Sequence, residues 1–380
     1  VNDGPRGLEL LSLVHRNPGI SRADAARELG MGSGQATEIT ARLVADRLIG
    51  EGPSAPSGAR GRPSTVLGPH PDGPLAVVAA IAHDGWRVAI VELGERVLEQ
   101  RAGEHDQTVA GTLSDVAAAI ATLRRGHRTR VRATAVSVPG TVAGDVVLQA
   151  PGLGWSDVSL TPLRPSRSNA PFVAGNDATF AAIGEARRGT GIGYRSMLHL
   201  YFDAGVGGAI VEDGRAVVGA TGVAGEFGHL PFADPALRCP CGARGCWNLA
   251  IDAASIAHRL GRRRPRSQAG FVGTVLAAAR GGDAASAAAV AEVAREVGRG
   301  TAGLVNALDP AIVTFGGWGG GLLGPDLDAA YRVGLMSSRR RNAPALVAGA
   351  LGGEAPLIGA AEEAFDRILT SAGLAAWSAR

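Results

Sequence analysis

Apolar residues in the first fifty positions recur at helical spacing. Leu8, Leu10, Leu11 and Val14 place an apolar face on a first helix. Ser21 stands as an N-cap before Arg22-Ala23-Asp24-Ala25-Ala26-Arg27-Glu28-Leu29, a stretch with no β-branched run. Gly30-Met31-Gly32 ends that helix, and a third is expected from Ser33 to Asp46 with Ala36, Ile39, Thr40 and Leu43 turned inward. Leu48-Ile49-Gly50-Glu51 then opens a short extended segment. Two short helices around a glycine-bearing turn, followed by a strand, describe a winged helix-turn-helix.

From Gly52 to Pro74 the chain is rich in proline, glycine and serine and carries Arg60-Gly61-Arg62-Pro63, which reads as a wing and then a linker. Beyond it the pattern changes. Leu75–Ile81 and Arg87–Leu93 are apolar strands about a turn at His83-Asp84-Gly85. A helix near Thr112–Arg124, a strand at Arg132–Val138 and a turn at Pro139-Gly140 follow. Strand and helix alternate to the end, so the expectation is a DNA-binding head over residues 1–70 and an α/β body over 75–380. No period of 20–50 residues recurs, which excludes a solenoid.

Composition narrows the classes. No apolar run reaches the length of a membrane span, and the first residues show no signal-type apolar stretch, so a cytoplasmic protein is expected. The net charge of +3 is too small for wholesale polyanion binding, and every one of the 38 basic residues is arginine. The three cysteines, Cys239, Cys241 and Cys246, crowd into one loop instead of spreading as a disulfide framework would. With His229 upstream they supply one imidazole and three thiolates, the donors of a closed tetrahedral zinc site. Gly242 and Gly245 let the backbone turn tightly enough for the donors to converge. One structural Zn2+ per chain is expected over residues 229–246.

The words around that cluster are specific. Gly222-Val223-Ala224-Gly225-Glu226-Phe227-Gly228-His229 precedes it, and Cys239-Pro240-Cys241-Gly242-Ala243-Arg244-Gly245-Cys246 contains it. Together with Pro151-Gly152-Leu153-Gly154-Trp155, Gly175-Asn176-Asp177-Ala178, Gly205-Val206-Gly207-Gly208, and Asp309-Pro310 through Gly316-Gly317, they resemble the ROK family of repressors, open reading frames and sugar kinases. The resemblance runs from about residue 75 to 370. It implies a two-lobed, actin-like, ribonuclease H-like body with a sugar cleft between its lobes. By that resemblance Asp177 matches the general base that acts on a sugar hydroxyl, while Asn176, Glu226 and His229 match groups that hydrogen-bond the sugar.

Two departures shape the functional expectation. Where the family carries an Asp-x-Gly-Gly-Thr phosphate loop after its first strand, this chain has Ala80-Ile81-Ala82-His83-Asp84, without the acidic residue or the glycine pair. An anionic Asp84 there would repel a triphosphate, so the body is expected not to be an enzyme and Asp177 to be a vestigial base. After the last cysteine the family usually places a glutamate, and here Trp247-Asn248 stands instead. Asn248 is expected to take up that sugar-facing role with a retuned ligand.

The head resembles the DNA-binding module of ROK-type regulators, with the third helix in a major groove. Ser33, Gln35 and Thr37 would face base edges, Arg42 would reach phosphate, and Arg60 and Arg62 would enter a minor groove. Eight arginines against seven acids in residues 1–70 make a weak electrostatic footprint. The combined expectation is a DNA-binding transcriptional regulator, a homodimer or dimer of dimers, that senses a sugar. A ROK sugar kinase carrying an extra domain is the alternative.

Overall fold

The computed structural model describes residues 4–53, 65–106, 108–165, 170–263, 265 and 267–378. The head begins with α1 (Gly4–Arg16), β1 (Ile20–Ser21), α2 (Arg22–Glu28) and α3 (Ser33–Ala45), and closes with β2 (Ile49–Pro53) and β3 (Thr65–Pro69). The strands form a small antiparallel sheet in the order β1-β3-β2. Ser21 caps α2 by accepting from the Asp24 N–H at 3.0 Å. The inward face of α3 consists of Ala36, Ile39, Thr40 and Leu43, all buried. Arg60 and Arg62 lie outside the described residues.

The first lobe comprises β4 (Leu75–Ile81), β5 (Gly85–Glu92), β6 (Val97–Glu104), α4 (Val109–Gly126) and β7 (Val131–Val138). A small side sheet follows, β8 (Thr141–Ala143), β9 (Val146–Ala150) and β10 (Trp155–Ser159), and the chain returns through β11 (Phe172–Asn176). The main sheet runs β11-β7-β4-β5-β6, with β4 antiparallel to β5 and parallel to β7. Strand β5 starts two residues earlier than its apolar run, because Gly85 and Trp86 pair with Glu104 and Gly103 across the hairpin. Helix α4 also starts early, where Thr108 Oγ1 accepts from the Gly111 N–H at 3.1 Å.

The second lobe opens with α5 (Asp177–Arg188), β12 (Ser196–Phe202), β13 (Val206–Glu212) and β14 (Arg215–Ala216). Helices α6 (Asn248–Ile251), α7 (Ala253–Arg259), α8 (Gln268–Arg280) and α9 (Ala284–Leu308) follow, then β15 (Ile312–Gly317), α10 (Pro325–Gly334), α11 (Ser337–Arg340) and β16 (Ala345–Ala348). The second sheet runs β14-β13-β12-β15-β16 and repeats the plan of the first: an antiparallel hairpin, then parallel strands added on one side. The molecule is thus a winged helix-turn-helix joined to a two-lobed α/β body of actin-like fold.

Two last helices tie these parts together. Helix α12 (Ala355–Ile368) packs on α5, β4 and β7, and α13 (Ser371–Ser378) ends the chain. One apolar core runs without interruption from Leu10, Leu13 and Leu43 in the head to Val78, Phe180, Phe365 and Trp377. Trp377 also donates its indole N–H to the Asp46 carbonyl, 2.7 Å away at the C-cap of α3. A shared core of this kind makes head orientation a property of the body's packing. Among the described residues no helix is long and apolar enough to cross a membrane.

Candidate functional site

The junction of β11 and α5 positions the first site residues. Asn176 is the N-cap of α5: its Oδ1 accepts from the Thr179 N–H at 3.0 Å, and its Nδ2 donates to the Gly140 carbonyl at 3.0 Å. That bond to the turn after β7 holds the two parallel strand ends together. Asp177 is then the first helical residue, its Oδ1 accepting from its neighbour's N–H at Ala178, 2.8 Å away. Burial pushes the Asp177 carboxyl up to about 8, and the nearby Asp203 carboxylate adds to the push. The Ala178 N–H opposes both, and Glu226 raises it further.

Asp177 lines a cavity of about 620 Å3 together with Asp84, Asp203, Tyr201, Ser267 and Arg87. Asp203 is also raised, to about 6, by burial and by Asp84. Asp177 and Asp203 thus both resist ionisation in this space. Asp84 itself accepts from the Ser267 hydroxyl at 3.3 Å, and Arg87 in the cavity wall pairs with Glu354.

Asn176 and Glu226 line a second cavity of about 1070 Å3, which continues past α5 and α12 to Ser12, His15 and Arg16 of the head. Glu226 accepts from the Thr141 hydroxyl at 2.7 Å, so the side sheet of the first lobe meets the loop of the second at this point. His229 sits in a short turn at Phe227–His229, beside the thiols and not in either cavity's wall. Asn248 is placed against the second glycine loop: its Oδ1 accepts from the Val206 N–H at 2.7 Å. The expected sugar set therefore divides, with Asp177 on one side of the β11–α5 junction, Asn176 and Glu226 on the other, and Asn248 clamping backbone. His83 enters where sequence reasoning did not look. A Cβ on Gly152 would lie 2.2 Å from His83 Cε1, so the histidine ring takes the space that a side chain at position 152 would fill.

His229, Cys239, Cys241 and Cys246 bring one donor atom each to within 4.8 Å of one another. Cys239 Sγ is 3.8 Å from His229 Nδ1, and the Cys241 and Cys246 sulfurs are 3.7 Å apart. A tetrahedron with 2.3 Å metal–sulfur bonds has an edge of about 3.8 Å, so these donors fit a four-coordinate ion. Gly242 and Gly245 hold φ of +96° and +67°, the left-handed turns that fold the loop back on itself. Burial, with the other thiols close by, pushes the Cys246 thiol up to about 12.

In the head, Ser33, Gln35, Thr37 and Arg42 are all exposed on α3. Thr37 donates its hydroxyl to the Ser33 carbonyl at 2.8 Å, and Arg42 pairs with Glu38 at 3.3 Å on the same helix. Gln35 and Ser33 are the side chains at the tip of the helix.

A model of the ROK family matches residues 83–366. A glucokinase from Streptomyces coelicolor is 30% identical over 269 residues, which is 65% of this chain and 84% of that protein. An N-acetylmannosamine kinase from Yersinia pseudotuberculosis is 31% identical over 264 residues, 66% of this chain and 89% of its own. The solved structure of a ROK family transcriptional regulator, described as a homologue of the E. coli MLC protein, superposes with a TM-score of 0.75 at 22% identity. It covers 98% of both chains.

These kinases correct the expectation that the body is not an enzyme. That expectation rested on the missing acid and glycine pair after the first strand of the body and on the repulsion an anionic Asp84 would exert on phosphate. It is overturned by the two kinases of about 30% identity, and in the folded chain Asp84 lines one cavity with Asp177 and Asp203.

Proposed function

The chain belongs to the ROK family, and we propose that its body transfers the terminal phosphoryl group of magnesium-bound ATP to a hydroxyl of a hexose or N-acetylhexosamine. The observation that carries this is Asp177, a carboxyl of raised pKa at the head of α5 that faces a cavity shared with Asp84 and Asp203. In the step proposed, the sugar oxygen attacks the γ-phosphorus, the bond to the β,γ-bridging oxygen breaks, and the hydroxyl proton passes to Asp177. Asp84 and Asp203 are the residues that would hold the magnesium, which would supply neutralisation of the phosphate charge. A coupled assay with magnesium, ATP and a panel of glucose, mannose and N-acetylmannosamine is expected to return about 1–100 turnovers per second on its best sugar. Turnover at background on every hexose and N-acetylhexosamine removes the reading.

A second reading concerns the head, and the exposed polar tip of α3 favours it. We propose that residues 1–70 form a DNA-binding unit, that the body over 75–380 also mediates a homodimer or dimer of dimers, and that sugar in the cleft shifts the spacing of two heads on an operator. Gln35→Ala is expected to cost roughly 1–3 kcal/mol at the correct site and to relax preference at particular bases. Selection of genomic fragments by the full chain, repeated with the variant, measures both. A fragment lacking residues 1–70 that still shifts the same operator shows that DNA is read elsewhere.

The metal we assign to the cysteine loop is zinc, held by His229, Cys239, Cys241 and Cys246 with no open position. Its chemistry there is structural. Purified protein is expected to contain about one zinc per chain, and a strong chelator or Cys241→Ser to lower Tm, because the loop carrying Glu226 and His229 loses its tie. A folded, reduced sample without metal would falsify the assignment.

A further inference from the structure

We propose that a groove on the outer face of the first lobe binds a small phosphate-bearing polyanion. The groove encloses about 1090 Å3 between α4, the start of β7, the end of α12 and α13. Arg124, Arg125, Arg128, Arg132, Arg164 and Arg367 line it, and no carboxylate is among its lining residues. Its floor is apolar, with Ile120, Leu163 and Ile368.

Arginine alone is not the signal in a chain whose basic residues are all arginine. What marks this groove is that its guanidiniums gather with no carboxylate among the described lining residues. Several arginines elsewhere pair with acids: Arg187 and Arg188 with Glu362, Arg295 with Asp326, Arg332 with Asp328. At the rim of the groove Arg164 reaches Asp145 at 3.5 Å and Arg367 reaches Glu363 at 4.0 Å. At depth the pairing stops. Arg124 Nη1 and Arg132 Nε are buried and meet no acceptor among the described residues. Burial pulls both guanidiniums below their ordinary pKa, and no carboxylate holds either one up. The N–H groups these guanidiniums leave open to the groove, with those of Arg125 and Arg128 beside them, are what phosphate oxygens satisfy, since each guanidinium fork matches that geometry.

Shape selects the kind of ligand. A cavity of this volume, walled on both sides by helices, suits a molecule of nucleotide size. The apolar floor accommodates a ring or short chain beneath the charged group, which is why the anion is taken to be a small organic phosphate or pyrophosphate.

The groove is also wired to the head. The Arg132 guanidinium lies over the Trp377 ring at 5.0 Å, and the Trp377 indole donates to Asp46 at the end of α3. An anion that draws Arg132 off that ring changes the environment of Trp377 directly, which provides a reporter.

The experiment titrates the full chain with inorganic pyrophosphate, by calorimetry and by tryptophan fluorescence, alongside Arg124→Gln/Arg132→Gln and Trp377→Phe. One saturable site is expected, with affinity at least about tenfold weaker in the double variant, the loss of one or two charge-assisted bonds. Trp377→Phe should keep the heat of binding and lose the fluorescence change. If the double variant fails to fold, Arg132→Lys takes its place, because it keeps charge and removes the fork; equal affinity then counts against the site. Absence of saturation below about 1 mM overturns the proposal, as does equal affinity in the double variant. It is also overturned if a duplex oligonucleotide depends on Arg124 and Arg132 while pyrophosphate does not.

Discussion

Asp177→Asn is expected to remove phosphoryl transfer, lowering kcat by about 10²–10⁴-fold while sugar affinity changes little. The amide keeps the shape, and its Oδ1 can still accept from the Ala178 N–H. What it cannot do is accept the hydroxyl proton. The pH dependence carries the sign. A base works ionised, and burial together with Asp203 raises this carboxyl to about 8. The value of kcat/KM for the sugar should therefore climb through about pH 8, where it is half-maximal, and level only above about pH 9. In the variant any residual rate should be flat over the same range. Stability moves the opposite way. The folded protein holds a proton on Asp177 that the unfolded chain releases above its ordinary 3.8, so this group weakens the fold progressively as pH rises toward 8. Asparagine has no such proton, and Asp177→Asn is expected to raise Tm at neutral pH. Undiminished turnover in the variant, or a wild-type profile flat from about pH 6 to about pH 9, defeats the assignment of Asp177 as base.

How much of this site can be read from residues alone depends on how local each signal is. The inward face of α3 comes from spacing within one helix, and all four of its expected positions are buried. The cysteine loop is equally local, since the eighteen residues from His229 to Cys246 contain every donor and both glycine turns that fold it. Asp177 is found through the words around it. Thr141 and Asp203 carry no comparable mark: they reach the site only because β8 and β12 belong to different sheets whose ends meet. Asn248 illustrates the converse. Its neighbours suggested a sugar contact, yet the side chain spends its acceptor on the Val206 backbone. Asp84 shows the same limit. The sequence places a single acid in a loop, and only the folded chain brings it to the wall of one cavity with Asp177 and Asp203. Periodicity reports which face of an element is apolar; it does not report which two faces meet.

The junction of head and body is the strongest case of that gap, and Glu362→Gln is expected to destabilise it by about 3–5 kcal/mol. Glu362 is 2% exposed on α12. Its carboxylate takes Arg188 on one oxygen and Arg187, 3.2 Å away, on the other. Arg188 in turn donates to the His15 and Arg16 carbonyls at the end of α1, at 2.9 Å each. Arg187 also holds Asp366 at 2.9 Å. Removing the charge of Glu362 leaves two buried guanidiniums short of counter-charge and frees the clamp on α1.

The tight turn between β5 and β6 completes the cluster. Gly94 and Glu95 both sit at positive φ, +78° and +73°, which presents the Gly94 N–H to His15 Nδ1 at 3.0 Å. His15 must therefore be neutral, with its proton on Nε2 facing Glu362. Glu95 points both oxygens into the same space and meets no donor, so a proton of its own is the hydrogen that can sit between it and Glu362.

Each group gives the pH dependence a direction. Burial lowers His15 below its ordinary 6.5 against the opposing pull of Glu362, so its contribution is complete above about 6.5 and is lost as pH falls. Burial would raise Glu362, but His15, Arg188 and Arg187 hold it well below 4.5, so its contribution disappears only in strong acid. Glu95 runs the other way: burial and the charge of Glu362 raise it well above 4.5, so keeping it buried costs progressively more as pH rises. Docking of the head should thus weaken first on the acid side as His15 protonates against the Gly94 N–H. On the alkaline side it should weaken by the ionisation of Glu95, and Glu95→Gln should remove that limb. Hydrogen exchange of the α1 amides, followed across pH in the wild type, Glu362→Gln and Glu95→Gln, reads all three effects. Protection of α1 that is the same in Glu362→Gln as in the wild type shows that the shared apolar core alone holds the head, and the charged clamp is then a passenger.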